Sequence, residues 1–233
     1  MSMSSLNEEI IPALMPKSIG DFNRLVGLVS PFVEWVQLDV MDGIFVPEVS
    51  WPYESDTPLR EVRANELPES VSFEVHLMVQ KPKDIGVAFI ESGARRIIPH
   101  IEVFDDPEEA IETLYEYKDA GAEEVGISLL LSTPIASVEP LFLEGVVDSV
   151  QVMAIAEVGF QGRAFDERTL ERVSRLRGEH PDLIISVDGG VTNENAGVLI
   201  EAGANRLASG SYILKHNDPE QAIKEINEAM SQR

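Results

Sequence analysis

Short apolar runs of four to eight residues alternate along this chain with longer stretches whose apolar residues recur every three to four positions. The short runs read as strands and the longer stretches as amphipathic helices. Strands are predicted at 10–15, 35–40, 71–78, 96–100, 124–130, 149–154, 183–187 and 206–209. Helices are predicted at 18–30, 59–66, 81–92, 106–120, 134–143, 166–179, 192–203 and 218–231. Asp105-Asp106-Pro107, Ser132-Thr133-Pro134, Thr192-Asn193-Glu194 and Asn217-Asp218-Pro219 mark helix starts, each offering a capping side chain. Gly93, Gly121 and Gly203 close three of the helices. Eight strand–helix pairs in 233 residues match an α/β fold, the (β/α)8 or TIM barrel, which typically takes about 250 residues. An open doubly wound sheet is the runner-up. Its glycine-rich turn follows the first strand, where Met15-Pro16-Lys17-Ser18 stands here. No repeat or linker interrupts the alternation, so residues 1–233 read as a single domain, with 1–8 a flexible N-terminus.

Polar groups sit in three of these strands. In Gln37-Leu38-Asp39-Val40-Met41-Asp42-Gly43, the side chains of Gln37, Asp39 and Met41 share one face, and apolar residues occupy the other. A strand this apolar is covered on both faces. A carboxylate within it is costly unless it is paired, bound to a metal or used in chemistry. The same logic recurs in Phe73-Glu74-Val75-His76-Leu77-Met78 and in Ile184-Ile185-Ser186-Val187-Asp188-Gly189-Gly190. The carboxyl ends of barrel strands form the active face, so Asp39, His76, His100 and Asp188 should ring one mouth, with Met41, Met78 and Met153 beside them. Glu74, on the face of His76, is expected to orient its imidazole. Carboxylates on two strands suit a reaction in which one removes a proton beside a carbonyl and the other returns a proton to the opposite face. A divalent metal or another electrophile would stabilise the enediolate between the steps. Asp42, followed by Gly43, reads as a turn residue. His100 is as consistent with a structural role as with substrate contact, and His180 and His216 read as solvated.

Charge narrows the ligand. With 18 basic against 41 acidic residues, a net charge of −23 excludes a nucleic-acid partner. A phosphorylated substrate would have to be held by backbone amides or a few local cations. Three turns offer such amides: Gly159-Phe160-Gln161-Gly162 after the sixth strand, Gly189-Gly190 after the seventh and Gly210-Ser211 after the eighth. Glycine permits close backbone approach, and amides at the helix starts that follow are expected to bind a dianion. Barrels commonly bind phosphate late in the chain. The chain has no cysteine, so thiolate chemistry and disulfides are excluded. No apolar run approaches the ~20 residues that span a bilayer. A cytoplasmic protein with no membrane partner is expected, and homo-oligomer formation is left open.

Together these segments resemble the ribulose-phosphate 3-epimerase family over nearly the whole chain. The similarity is carried by residues 38–47 (Leu38-Asp39-Val40-Met41-Asp42-Gly43-Ile44-Phe45-Val46-Pro47), Val75-His76-Leu77-Met78-Val79, Gly159-Phe160-Gln161-Gly162, Val187-Asp188-Gly189-Gly190-Val191 and Ser209-Gly210-Ser211. The resemblance implies a barrel that epimerises C3 of a ketopentose phosphate (ribulose 5-phosphate and xylulose 5-phosphate) through an enediolate. It makes Asp39 the proton acceptor, Asp188 the proton donor, and Asp39, His76 and Asp188 ligands of a divalent metal. Alternatives are an epimerase or isomerase of another ketose phosphate, or a phosphate-binding barrel without catalysis. The chain departs from the family pattern at Gln37, where a ligand histidine is usual, and at Ala13, where a serine is usual. Leu130-Leu131-Ser132-Thr133-Pro134 replaces an Asn-Pro-x-Thr-Pro pattern, Val158 a proline and Arg163 a glutamine. An amide oxygen from Gln37 is a poorer ligand than imidazole for zinc or iron. Binding should therefore be weakened or lost, with preference moving toward manganese or magnesium.

Overall fold

In the computed structural model, which describes residues 8–232, eight parallel strands pair in chain order and the first pairs with the last, closing a barrel. The strands are β1 (Glu9–Leu14), β2 (Trp35–Met41), β3 (Ser72–Met78), β4 (Arg96–Pro99), β5 (Glu124–Leu129), β6 (Ser149–Met153), β7 (Ile184–Asp188) and β8 (Arg206–Ser209). Each lies within one residue of its predicted bounds. Of the expected flexible N-terminus, residues 1–7 lie outside the described residues. The helices are α1 (Ile19–Val29), α2 (Pro58–Arg63), α3 (Pro82–Glu91), α4 (Pro107–Asp119), α5 (Glu139–Glu144), α6 (Arg168–Glu179), α7 (Ala196–Ala202), α8 (Ser211–Leu214) and α9 (Pro219–Ser231).

Local chemistry sets the helix starts. Ser18, Asp106 and Asp218 each accept a first-turn backbone N–H, from Asp21, Glu109 and Gln221. Two expected starts fold otherwise. Thr192-Asn193-Glu194 is a turn, in which the Thr192 hydroxyl accepts from Glu194 N–H and Asn195 Oδ1 accepts from Thr192 N–H, so α7 begins only at Ala196. The predicted 134–143 helix is divided into a 3-10 turn at Ile135–Ser137 and the short α5. The Thr133 hydroxyl, free to cap in the sequence, instead donates to Glu102. The helix α8 was not predicted.

Outward-facing strand residues such as Val36, Leu38, Val75, Leu77, Val150 and Val187 are fully buried between sheet and helices. Burying each contributes roughly 1.5–3 kcal/mol. Inside the barrel the strand starts carry a charged floor. Arg96 reaches Glu9 at 3.1 Å and Glu74 and Glu124 at 3.3 Å, with its guanidinium 3.4 Å from the Trp35 ring centroid. Arg206 reaches Glu9 at 3.3 Å and also pairs with Glu124. Glu74 therefore belongs to the floor and does not orient His76. Residues two apart on a strand lie about 6.6 Å from one another, which puts them in different interior layers.

Arg206→Met leaves Glu124 and Glu9 short of a cation inside the barrel. It should cost about 3–5 kcal/mol in denaturant unfolding. Burial pushes the Glu124 carboxyl up, but the hydrogen bond and charge of Arg206 prevail and hold it below its ordinary 4.5. A depressed folded value adds stability above pH 4.5, which is lost as pH falls through that value. Glu124→Gln should therefore lower stability at neutral pH and flatten its decline on acidification, as read by thermal unfolding across the acid range.

Candidate active site

At the carboxyl ends of the strands, Asp39 from β2 and Asp188 from β7 face one cavity. Its other wall is made by the three turns Gly159-Phe160-Gln161-Gly162, Gly189-Gly190 and Gly210-Ser211. Met78, Met153, Met15, Ile155, Val191 and Ala13 complete the lining. Only Gly210-Ser211 leads directly into a helix, the single-turn α8, whereas α6 and α7 begin at Arg168 and Ala196. The amides of this cradle therefore belong mainly to loops, which corrects the expectation of helix starts. Gly190 has φ +66°, and a Cβ there would sit 2.7 Å from the Phe165 backbone nitrogen, so the position takes glycine alone.

Met41, His76 and Gln37 do not line the cavity. All three are fully buried just behind its wall. The segment after β2 folds back over Met41: its N–H donates to the Ser50 hydroxyl at 2.9 Å, and Val46 packs against it with Met78. Asp42 is the turn residue expected, accepting from Ile44 N–H at 2.8 Å and Gln80 N–H at 2.7 Å. Phe45 lies over His100, ring centroids 4.8 Å apart.

Beneath the cavity floor the polar side chains form one network. His76 Nδ1 is 3.2 Å from both Asp39 Oδ1 and Asp188 Oδ2. Gln37 Nε2 donates to the same two oxygens, at 2.8 and 3.1 Å. On its other side His76 Nε2 meets His100 Nε2 at 2.9 Å, and His100 Nδ1 meets Glu102 Oε2 at 3.0 Å. Glu102 also accepts from Leu130 N–H and from Thr133. Burial pushes the Glu102 carboxyl up, but the His100, Thr133 and Leu130 hydrogen bonds hold it below its ordinary value. Ionised Glu102 keeps the His100 proton on Nδ1. His100 Nε2 then accepts from His76 Nε2–H, and His76 Nδ1 is left facing the two carboxylates. His100 is thus a buried support for His76 and makes no contact with the cavity.

Burial, with the added charge of Asp188, raises Asp39 to about 6 against the hydrogen bonds from His76 and Gln37. Burial works against a charged imidazole, but the hydrogen bonds to Asp188 and Asp39 outweigh it and raise His76 to about 9. The His76 shift records the pull of two carboxylates on a positive charge, and the Asp39 shift records chiefly burial. Asp39, His76 and Asp188 each offer a ligand atom, all within 4.8 Å of one another. Two carboxylates and one imidazole suit a divalent cation.

A model of the ribulose-phosphate 3 epimerase family matches residues 9–214. The chain belongs to the ribulose-phosphate 3-epimerase family. Membership places it among the epimerases, enzymes of the isomerase class. It is 36% identical over 200 residues to the chloroplastic ribulose-5-phosphate-3-epimerase of Arabidopsis thaliana, covering 83% of this chain and 66% of that protein. Identity to the ribulose-phosphate 3-epimerase of Treponema pallidum is 35% over 207 residues, covering 87% and 89%. In fold it is similar to 3-hexulose-6-phosphate synthase from Salmonella typhimurium, with a TM-score of 0.69 at 16% identity, covering 96% and 99% of the two chains. Orotidine 5'-phosphate decarboxylase from Pyrococcus horikoshii gives a TM-score of 0.64 at 17% identity, covering 96% and 100%.

Against the family pattern, Arg163 pairs with Glu157 at 2.8 Å and lies over the Phe160 ring. It therefore answers a surface acid. His180 is tied to Glu139 at 3.1 Å and is not simply solvated. One cation escaped the sequence reading. A Cβ at Gly162 would sit 3.5 Å from the Lys215 ammonium and 3.8 Å from the Ser211 hydroxyl, and Lys215 has no ion-pair partner among the described residues. The available signal was a lysine four residues after Ser211, one helical turn away, in a chain poor in lysine.

Gly190→Ala should destabilise the fold by about 1–2 kcal/mol from backbone conformation alone, with the contact to Phe165 adding to it. Calorimetric unfolding measures the sum.

Proposed function

We propose that this enzyme interconverts ribulose 5-phosphate and xylulose 5-phosphate at C3. Two carboxylates from β2 and β7 facing one cavity, opposite three glycine turns, carry the reading. The turns hold the phosphate, and the sugar carbons lie toward Asp39 and Asp188. Asp39 takes the C3 proton, the C3–H electron pair becomes the C2–C3 double bond of an enediolate, and negative charge collects on the C2 oxygen. Asp188 then gives its proton to the opposite face of C3, the double bond opens and the C2 carbonyl returns with C3 inverted. A divalent cation held by Asp39, His76 and Asp188 would supply electrostatic stabilisation of that oxygen. Met78 and Met153 give the carbon chain a soft apolar wall and exclude water from the enediolate. Lys215 supplies the cation that the cradle otherwise lacks.

The deciding experiment incubates each epimer in deuterated water and follows C3 exchange and net epimerisation together. The unmodified protein should do both. Exchange with no net inversion would overturn the two-sided mechanism, and inertness toward both sugars would overturn the substrate assignment. A ketohexose phosphate run in parallel tests the alternative substrate.

Asp39→Asn or Asp188→Asn should lower turnover by about two to four orders of magnitude in a folded protein. In Asp188→Asn, exchange from the epimer whose C3 hydrogen faces Asp39 should outlast inversion. Lys215→Ala should raise KM about tenfold, equivalent to ~1.4 kcal/mol, with kcat little changed. Steady-state kinetics reads the split.

A further inference from the structure

We infer that Gln37 is a turnable amide, which cross-links Asp39 and Asp188 in the metal-free protein and presents its carbonyl when a divalent cation binds between them. A primary amide carries two N–H donors on one nitrogen. Gln37 Nε2 is 2.8 Å from Asp39 Oδ1 and 3.1 Å from Asp188 Oδ2, so each carboxylate receives a hydrogen bond from the same group. The side chain is fully buried, and it bridges β2 to β7 around the barrel.

The other end of the amide is the second observation. Gln37 Oε1 is buried and accepts no hydrogen bond from any described residue. Its surroundings do not hold the carbonyl in place, so the carboxylates alone set the orientation. The opposite orientation would bring three oxygens together and leave His76 Nδ1 as the donor that Asp39 and Asp188 share. A cation near Asp39, Asp188 and His76 Nδ1 reverses that preference, repelling the N–H end and attracting the oxygen. A half-turn about the last side-chain bond exchanges the two ends and leaves β2 where it is.

Two consequences follow. The carboxylate pair is already fixed in position without metal, so removing metal should not loosen the barrel mouth. Metal entry must break two hydrogen bonds, so its affinity is held down by the same residue that becomes a ligand. The inference rests on reading Asp39, His76 and Asp188 as a cation site. Its readouts do not use turnover, so its failure is separable from failure of the epimerase reading.

The test uses the full chain labelled with 15N-glutamine, with the Gln37 side-chain signals assigned by their loss in Gln37→Glu. In chelated protein the Gln37 amide protons should exchange slowly with solvent, and excess zinc should move both signals together. Gln37→Glu keeps the shape but places a third carboxylate in the cluster. It should lower the metal-free Tm by several degrees and tighten zinc binding at least tenfold in a calorimetric titration. Gln37 signals that zinc leaves in place overturn the inference, whether or not zinc binds elsewhere. So do rapidly exchanging amide protons in the chelated protein. A Gln37→Glu protein with unchanged Tm and zinc affinity overturns it too. If that variant does not fold, the measurement on the unmodified chain decides.

Discussion

Two carboxylate oxygens, one on Asp39 and one on Asp188, both lie 3.2 Å from a single imidazole nitrogen, and the barrel mouth is built around that fact. Two unit charges about 4 Å apart near a protein surface repel by about 4 kcal/mol. Burial makes the charged forms costlier still. The fold answers with donors in place of fixed cations: Gln37 and His76 reach both acids, and Gln151 approaches Asp188 at 3.5 Å. Among the described residues, neither Asp39 nor Asp188 pairs with lysine or arginine. An arginine hydrogen-bonded as Arg206 is to Glu124 would hold a carboxylate ionised and poor as a base. The donors found here leave Asp39 raised toward neutrality, where it can exchange protons.

The opposite end of the same barrel makes the contrast. At the floor three glutamates meet two arginines directly, and the guanidinium groups leave little proton chemistry to Glu124. Both layers hang on the same strands, with register set by pairs such as Glu74↔Arg96 and Asp39↔His76. The floor is not uniform: Arg206 holds Glu124 below its ordinary value, whereas burial outweighs Arg96 and Arg206 at Glu74 and raises it to about 7. The support for the strand ends comes from loops: Glu102 ties His100 to Leu130 and Thr133, so the segments after β4 and β5 hold His76 in orientation.

The strands were legible because each is apolar on its outward face and bounded by turn residues, and a parallel barrel demands both. Asp39 and Asp188 were legible because buried strands rarely carry acids without a reason. Glu74 was misread because period two places residues on a common face without saying which interior layer they occupy. Met41 was expected at the substrate, but the return of the chain through Val46 and Ser50 covers it, and that fold-back is a tertiary event with no local signal. The helix at 192 failed for a related reason: Thr192 and Asn195 satisfy one another in a turn before a helix can start. The His76–His100–Glu102 chain joins residues whose pairing depends on barrel closure. Gln37, read as a weakened ligand, acquires its second role only when β7 brings Asp188 alongside.

The central claim is that Asp39 and Asp188 act as one pair on one substrate, in consecutive proton transfers through a shared intermediate. Turnover of Asp39→Asn, Asp188→Asn and the double variant, compared with the unmodified enzyme, tests it most directly. Consecutive steps through one intermediate predict a double variant about as slow as the slower single variant. Losses that multiply in the double variant would contradict the account and assign the two carboxylates independent roles.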